Sequence, residues 1–596
     1  MRSLMLTVIA AGAIWSAVAV TAQENIRFEV SGPDKTLESE LRTASLVLST
    51  ISDERTGTRD LLSAALSDYG RLLETLYANG HYSGVIQIKV NGQEAATIPL
   101  LAVPGQINSI AIRVNPGPPF RFSQARIAPL PPGTVLSPDF KAGKPAQSVV
   151  IRDAVETSVE AWREQGHAKA APVGQNIVAD HAKATLSADV QLNPGPKVRF
   201  GNLRIITPSA VRDERIRRIA GLPGGEEFSP ETLRRMAERL RRVAAFSSVS
   251  IEEANTLGPG DTLDINLALA DRKPRRFGFG AEVSSLDGLD LSAFWLHRNA
   301  FGGAELLRFD GAVGNIGGQT GGIDYSAGAR IDIPAVLGPD TTVFTTLTFD
   351  HLDEATFISD RISVGGGATW YATNELKLEA GASYSYSQTE DAFGDRNFSL
   401  LSFPASLTLD KRDEPLDPKS GYFVNAQATP YAGFAGSASG ARICVDGRAY
   451  RGIGTDDRVV LAGRLQFGGV LGSGITETHP DFLFYSGGGG TVRGQPYQSL
   501  DVDLGGGTRS GGRSFLGLSF EARADITDTI GAVAFADAGY VGAESIFDGS
   551  GNWHSGVGLG VRYKTGLGPI RFDVAVPVEG GTGSGVQIYL GIGQSF

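Results

Sequence analysis

Few of the 596 residues are equipped for covalent chemistry. The seven histidines, His81, His167, His181, His297, His351, His479 and His554, fall nowhere at a metal-binding spacing such as H-E-x-x-H. No G-x-S-x-G nucleophile elbow stands on a strand-to-helix turn. The one cysteine, Cys444, lies between Ile443 and Val445 and reads as a packed strand residue. It excludes an intramolecular disulfide scaffold and a multi-cysteine metal cluster. No catalytic residue, metal or cofactor is therefore expected. What remains is an electrostatic constellation. A glycine run at 487–490 leads into Val492-Arg493-Gly494; no Lys-Ser/Thr follows, so it does not read as a phosphate loop. Further on, alternation places Phe535, Asp537 and Gly539 on one face of a strand, and Glu521 falls on the polar face of another. Arg493 paired with Asp537, and with Glu521, would pin a loop. Such a buried pair fixes one conformation better than it adds net stability.

The elements that must position these groups are strands. From Arg275 onward helical spacing gives way to alternation. Leu516, Leu518, Phe520, Ala522, Ala524 and Ile526 share one face, with Ser519, Glu521, Arg523 and Asp525 on the other. Ile570, Phe572, Val574, Val576 and Val578 alternate with Arg571, Asp573 and Glu579, and Val586, Ile588, Leu590 and Ile592 with Gln587, Gly591, Gly593 and Ser595. A soluble β-sandwich alternates too. Recurrent charges on one face of long strands, and an amphipathic strand running into Phe596, tilt the reading toward a transmembrane barrel, apolar outside and polar within. At about 20 residues per strand with its connection, residues 275–596 suffice for ~16 antiparallel strands. Glycine follows the same division, with 20 in residues 1–274 and 57 thereafter.

The front half mixes helices and short strands. Ile26-Arg27-Phe28-Glu29-Val30 alternates like a strand, 38–48 and 60–78 have helical spacing, and 85–90 and 110–114 return to strands. This β-α-α-β-β order recurs. Asn115-Pro116-Gly117-Pro118 and Asn193-Pro194-Gly195-Pro196 stand 78 residues apart, each before a similar strand, and Gly80-His81 and Gly166-His167 occupy equivalent places. Three tandem domains follow, over 26–117, 118–196 and 197–272. Their sheet edges are available to extended partner chains. The third copy is rich in arginine (215, 217, 218, 234, 235, 239, 241 and 242), which suits anionic headgroups or a helix face with local acidic partners. Ahead of them, Met1-Arg2 and an apolar run to about Val20 read as a signal peptide over residues 1–22. A net charge of −11 argues against nucleic acid as the main partner.

Val492-Arg493-Gly494 after the glycine run resembles the loop-six motif of the BamA/TamA superfamily of outer-membrane assembly and translocation proteins. Phe535-x-Asp537-x-Gly539 resembles that family's facing strand motif, and the run from Gly556 to Asp573 its penultimate strands. The front repeats are similar to POTRA (polypeptide-transport-associated) domains. Three copies, with His297-Arg298-Asn299-Ala300-Phe301-Gly302-Gly303, resemble the TamA branch. The motif's fourth position is usually aromatic; here it is Gln495, with Tyr497 two residues later. The resemblance implies a barrel in the outer membrane, POTRA domains in the periplasm and insertion of substrates without covalent chemistry. It implies a weak seam between first and last strands, at Phe277, Phe279, Ile588, Gly591, Gly593 and Phe596, against outer-membrane lipid. It implies nascent outer-membrane or autotransporter substrates and a TamB-like periplasmic partner anchored in the inner membrane.

Overall fold

The computed structural model describes residues 26–32, 34–53, 57–99, 105–285, 288–318, 321–566 and 568–596; the expected signal peptide lies outside them. Two compact units result. One holds the first two repeats with residues 224–231 and 257–263, and the other the rest of the third repeat with the barrel.

In the first repeat, strand Ile26–Val30 pairs parallel with Ile110–Asn115, which pairs antiparallel with Val85–Val90. Helix Thr58–Ala78 packs Leu61, Leu62, Leu72 and Leu76 onto this sheet. The helix expected over 38–48 is two, Lys35–Ala44 and Leu46–Ser52, broken at an extended Ser45. Buried Asp68 is the cause: it accepts from Ser45 Oγ (2.6 Å) and the Leu46 amide (2.6 Å), satisfying backbone donors at the second helix's start.

The second repeat departs from the expected order. Strand Arg121–Ala128 is followed by one helix, Ser148–Glu164, before strands Ala171–Asp180 and Thr185–Asn193. Pro129, Pro131, Pro132, Pro138 and Pro145 occupy the place of the first helix, and proline removes the amide donors a helix needs. The joints after the first and second repeats share one construction. His81 Nδ1 lies 3.1 Å from the Gly117 carbonyl and His167 Nδ1 2.8 Å from that of Gly195. The Phe120 and Val198 amides then donate to the Gly80 and Gly166 carbonyls, both at 2.9 Å. The repeat pairs recognised in sequence are thus the joints themselves. The third repeat regains both helices, Asp213–Ala220 and Pro230–Arg242, with strands Arg199–Ile205, Phe246–Glu253 and Thr262–Asp271.

Residues 275–592 close into an antiparallel barrel. The first strand is Arg275–Ser284 and the last Gln587–Ile592. Segments Gly394–Ser402 and Ala405–Asp410 share the neighbours Leu376–Asp391 and Gly421–Phe434, so they are one strand interrupted at Phe403-Pro404 and the barrel has sixteen. Outward positions are apolar: Phe520, Leu559 and Ile592 are 51%, 68% and 64% exposed, while inward Glu521 and Asp573 are fully buried. Such a continuous apolar exterior is a liability in water and the requirement in lipid.

Candidate functional site

The eleventh strand, Val459–Leu471, and the twelfth, Ser514–Asp525, are joined by residues 472–513, which return into the lumen. Phe484 packs there on Val470, Leu500, Phe515 and Val541. The loop's amides at Phe484 and Ser486 pair with carbonyls of Gly512 and Leu500, giving it a backbone ladder of its own. Arg493 sits at its centre with 2% exposure.

Three strands aim carboxylates at this guanidinium. Nε and Nη2 donate to Asp537 on the thirteenth strand at 2.7 and 3.0 Å. Nη1 donates to Glu521 on the twelfth at 2.6 Å and lies 3.5 Å from Asp573 on the fifteenth. The Arg493 amide also donates to Asp537 at 3.2 Å, so backbone and side chain are held by one carboxylate. Phe535 offers its ring 3.6 Å below the guanidinium carbon, a cation–π contact that water would weaken. Arg523 donates to Glu521 (2.8 Å), and Arg562 to Asp573, so three buried arginines face three buried carboxylates inside the barrel.

Glycines make room for this. An added Cβ at Gly556 would stand 2.0 Å from the Arg493 carbonyl, one at Gly539 2.2 Å from Ser486 Oγ, and one at Gly558 2.3 Å from the Phe535 ring. Gly494 has φ +93°, and any side chain there would strike the Val576 backbone. Val492 is fully buried beside Gly539. The structure therefore brings Val492, Arg493, Gly494, Phe535, Asp537, Gly539 and Glu521 together. Sequence reasoning missed Asp573, Arg523 and Arg562, although each is a charge on the inward face of an alternating strand. It also missed Tyr589, an aromatic at an inward position of the last strand. Its hydroxyl accepts from the Gly494 amide at 3.1 Å, and Gln587 Nε2 donates to the Gly494 carbonyl at 3.0 Å.

The seam residues divide. Among the described residues, first and last strands share two register pairs, Val283↔Leu590 and Ser284↔Tyr589, against ten between the first and second strands; two hydrogen bonds between Ser285 and Ile588 and an ion pair of Glu282 with Arg571 of the fifteenth strand complete the seam. Phe277 and Phe279 lie on the remaining free edge, 65% and 85% exposed, whereas Ile588 faces outward within the closed part of the seam, level with Ser285. Gly591 still pairs with Arg571, whereas Gly593, at φ +91°, has left the sheet and donates to the Pro569 carbonyl at 2.7 Å. Phe596 is not at the seam. The turn at Gly593 carries it into the lumen, where its ring is buried with Tyr450, Val460 and Ala462 of the tenth and eleventh strands. Arg523 Nη2 bonds its carbonyl at 3.0 Å.

The His297–Gly303 run, between the second and third strands, turns against the third repeat. Arg298 bonds the Lys273 carbonyl at 2.7 Å, Asn299 that of Ala210 at 2.9 Å, and the Arg212 amide that of Gly302 at 2.9 Å. The third-repeat arginines find a partner remote in sequence: Arg235 and Arg239 converge on Asp340, in the turn before the fifth strand, at 2.9 and 2.6 Å. Arg218 bonds the Val336 carbonyl at 2.7 Å, and Arg242 lies 4.1 Å over the Tyr371 ring. Arg234 does have the local acidic partner expected, Glu238. The hydrogen bond from Arg239 holds the Asp340 carboxyl below the usual range despite its burial, and the charges of Arg239, Arg235 and Arg242 add to this.

Residues 299–596, half of the chain, match the Omp85 superfamily domain. The chain is 22% identical over 451 residues to the outer membrane protein assembly factor BamA of Neisseria meningitidis serogroup B, covering 66% of this chain and 56% of that protein. It thus spans little more than half the length of that relative. The fold is similar to BamA of Haemophilus ducreyi lacking POTRA domains 1–3 (TM-score 0.61, 15% identity), across 79% of this chain and all of that one. Coverage of that extent reaches beyond the barrel into the front repeats, which supports a POTRA-plus-barrel architecture. A second likeness is to CdiB of Acinetobacter baumannii (TM-score 0.51, 12% identity), across 80% of this chain and 90% of that one.

Proposed function

Because the chain belongs to the Omp85 superfamily, we propose that it assembles or translocates barrel substrates at the outer membrane, with its repeats in the periplasm. The observation that carries this is the seam. Two register pairs close a barrel whose other junctions are several-fold longer, leaving the 275–282 edge of the first strand free to pair with an incoming strand. A substrate strand templated there would have its backbone groups satisfied before it meets lipid, where unsatisfied ones are costly. The pinned loop fills the lumen, which favours this reading over a passive channel; a large, stable, open current in planar bilayers would count for the channel instead.

Three repeats support the TamA branch, with autotransporters among the substrates and a TamB-like protein engaged by the repeats. The BamA relative favours a more general barrel insertase, and a dedicated exporter is the further alternative. Site-specific crosslinking in cells from residues 277–283 and 586–592 tests the seam. Crosslinks to nascent barrel chains are expected at Phe277 and Phe279, and their absence from every one of these positions would overturn the proposal. Co-purification of a TamB-like protein, lost when residues 26–196 are deleted, separates the TamA reading from the insertase.

A further inference from the structure

Gln495 stands where the resembling family carries an aromatic, and its environment is built for an amide. It is fully buried. Nε2 donates to the Ser555 carbonyl (2.8 Å), on the fourteenth strand, and to the Glu579 carbonyl (3.0 Å), at the end of the fifteenth. Oε1 accepts from Thr582 Oγ1 (2.8 Å) in the hairpin that joins the fifteenth and last strands. An aromatic side chain could make none of these three bonds together. Gly494 beside it is tied to Tyr589 and Gln587 of the last strand, and Tyr589 in turn donates to Gln587. His554 extends the network, Nδ1 lying 3.0 Å from Thr582 Oγ1 and Nε2 2.8 Å from Ser486 Oγ of the loop.

We infer that Gln495 is a positioning residue that fastens the lumen loop to the final hairpin, so that loop and last strand move as one body. The contrast with the seam is the argument. Residues 494 and 495 exchange five side-chain hydrogen bonds with the last three strands and their hairpin, all of them buried or part-buried. The last strand exchanges two register pairs and two Ser285–Ile588 hydrogen bonds with the first. The loop is also tied to the far wall through Tyr497–Glu354, Tyr485–Thr356 and His479–Ser387, but among the described residues none of its hydrogen bonds reaches the first strand, so when the seam parts residues 494 and 495 stay with the last strand. This rests on the seam reading proposed above for its functional meaning; the fastening itself does not.

Two measurements on the full-length protein separate the fastening from that reading. The first is hydrogen exchange in lipid nanodiscs over 484–500 and 580–590. Gln495→Leu is expected to speed exchange in both segments together by roughly tenfold or more, leaving 357–371 unchanged. Thr582→Val, on the hairpin and compatible with folding, is expected to do the same to a smaller degree. Unchanged exchange in both variants, or loosening of one segment alone, would overturn the inference. The second uses cysteine pairs. A Cβ added at Gly583 would lie 3.4 Å from Pro496 Cγ, near where a cysteine sulfur would stand, so Pro496→Cys with Gly583→Cys is placed to bridge loop and hairpin. Val283→Cys with Leu590→Cys bridges the seam. The oxidised loop–hairpin bridge is expected to leave substrate assembly at the level of its reduced form; a loss reversed by reductant would show that the loop must leave the hairpin and would overturn the inference. If the oxidised seam bridge leaves assembly intact, the seam reading fails, while the exchange result still decides the fastening.

Discussion

Replacing Arg493 by alanine leaves Asp537 without a guanidinium in a lumen where three arginines had faced three carboxylates. At an effective dielectric near 20, unit charges about 4 Å apart attract by about 4 kcal/mol, and Arg493 makes two such pairs with a third carboxylate slightly farther off. Desolvation of the intact pair offsets most of that gain. Removing one partner alone therefore costs more than the pair was worth, about 3–5 kcal/mol. At about 1.4 kcal/mol per decade, the docked-to-undocked ratio of the loop should fall by roughly two to three and a half orders of magnitude. Limited proteolysis or hydrogen exchange over 484–500 reads this directly. Arg493→Lys should be intermediate, since an ammonium lacks the fork that reaches Asp537 through two nitrogens while holding Glu521. The double variant Arg493→Ala/Asp537→Ala removes the orphaned charge as well. It should release the loop less than the sum of the two single variants. Strict additivity would mean that no coupling exists between the two residues, and the account of the site would be wrong.

Gly556→Ala should also lift the loop, because its Cβ would meet the Arg493 carbonyl at 2.0 Å, an overpacking worth about 1–3 kcal/mol. Gly463→Ala, with nothing within 4 Å of the new Cβ, is the matched control and should leave loop proteolysis unchanged. The contact of the third repeat with Asp340 should depend on pH in one direction. Its carboxyl is depressed in the folded protein, so the contribution is complete above the ordinary value of about 3.9 and is lost as pH falls through the folded value. Exchange over helix Pro230–Arg242 should rise below that pH, and Asp340→Asn should flatten the profile.

Strand positions and faces were readable because period-two patterning survives wherever one face meets lipid and the other a polar lumen. Glu521, Phe535 and Asp537 could be assigned to one interior for that reason alone. Asp573 and Arg523 carried the same signal, but nothing in a linear pattern says which inward charges converge once the sheet curls. The Arg235–Asp340 contact was hidden for another reason: its two halves are separated by 105 residues, and while Arg235 lies on the polar face of an amphipathic helix, Asp340 sits in a turn that no periodicity marks. In the second repeat, helical expectation was transferred from the first copy over a segment whose prolines forbid it. The resemblance puts Phe596 at the seam, on a last strand running to it; the left-handed backbone at Gly593 ends that strand earlier.

The distribution of interactions around the last strand orders the events that the proposed function needs. A protein hydrogen bond contributes about 0.5–1.5 kcal/mol net in water and more where no water competes, so two register pairs, the two Ser285–Ile588 bonds and the half-exposed Glu282–Arg571 pair amount to several kcal/mol at the seam. Six register pairs with the fifteenth strand, the ties from Gln587 and Tyr589 to the loop, and the buried Phe596 ring all hold the other side. The Arg493 cluster adds a cost of similar or larger size to any motion that pulls the loop from the wall. A perturbation that reaches the barrel therefore meets its least resistance between Val283–Ser284 and Tyr589–Leu590. On the proposed function, opening would begin at that junction with the loop still in the lumen, and a strand edge would be offered to the bilayer without the loop leaving the wall.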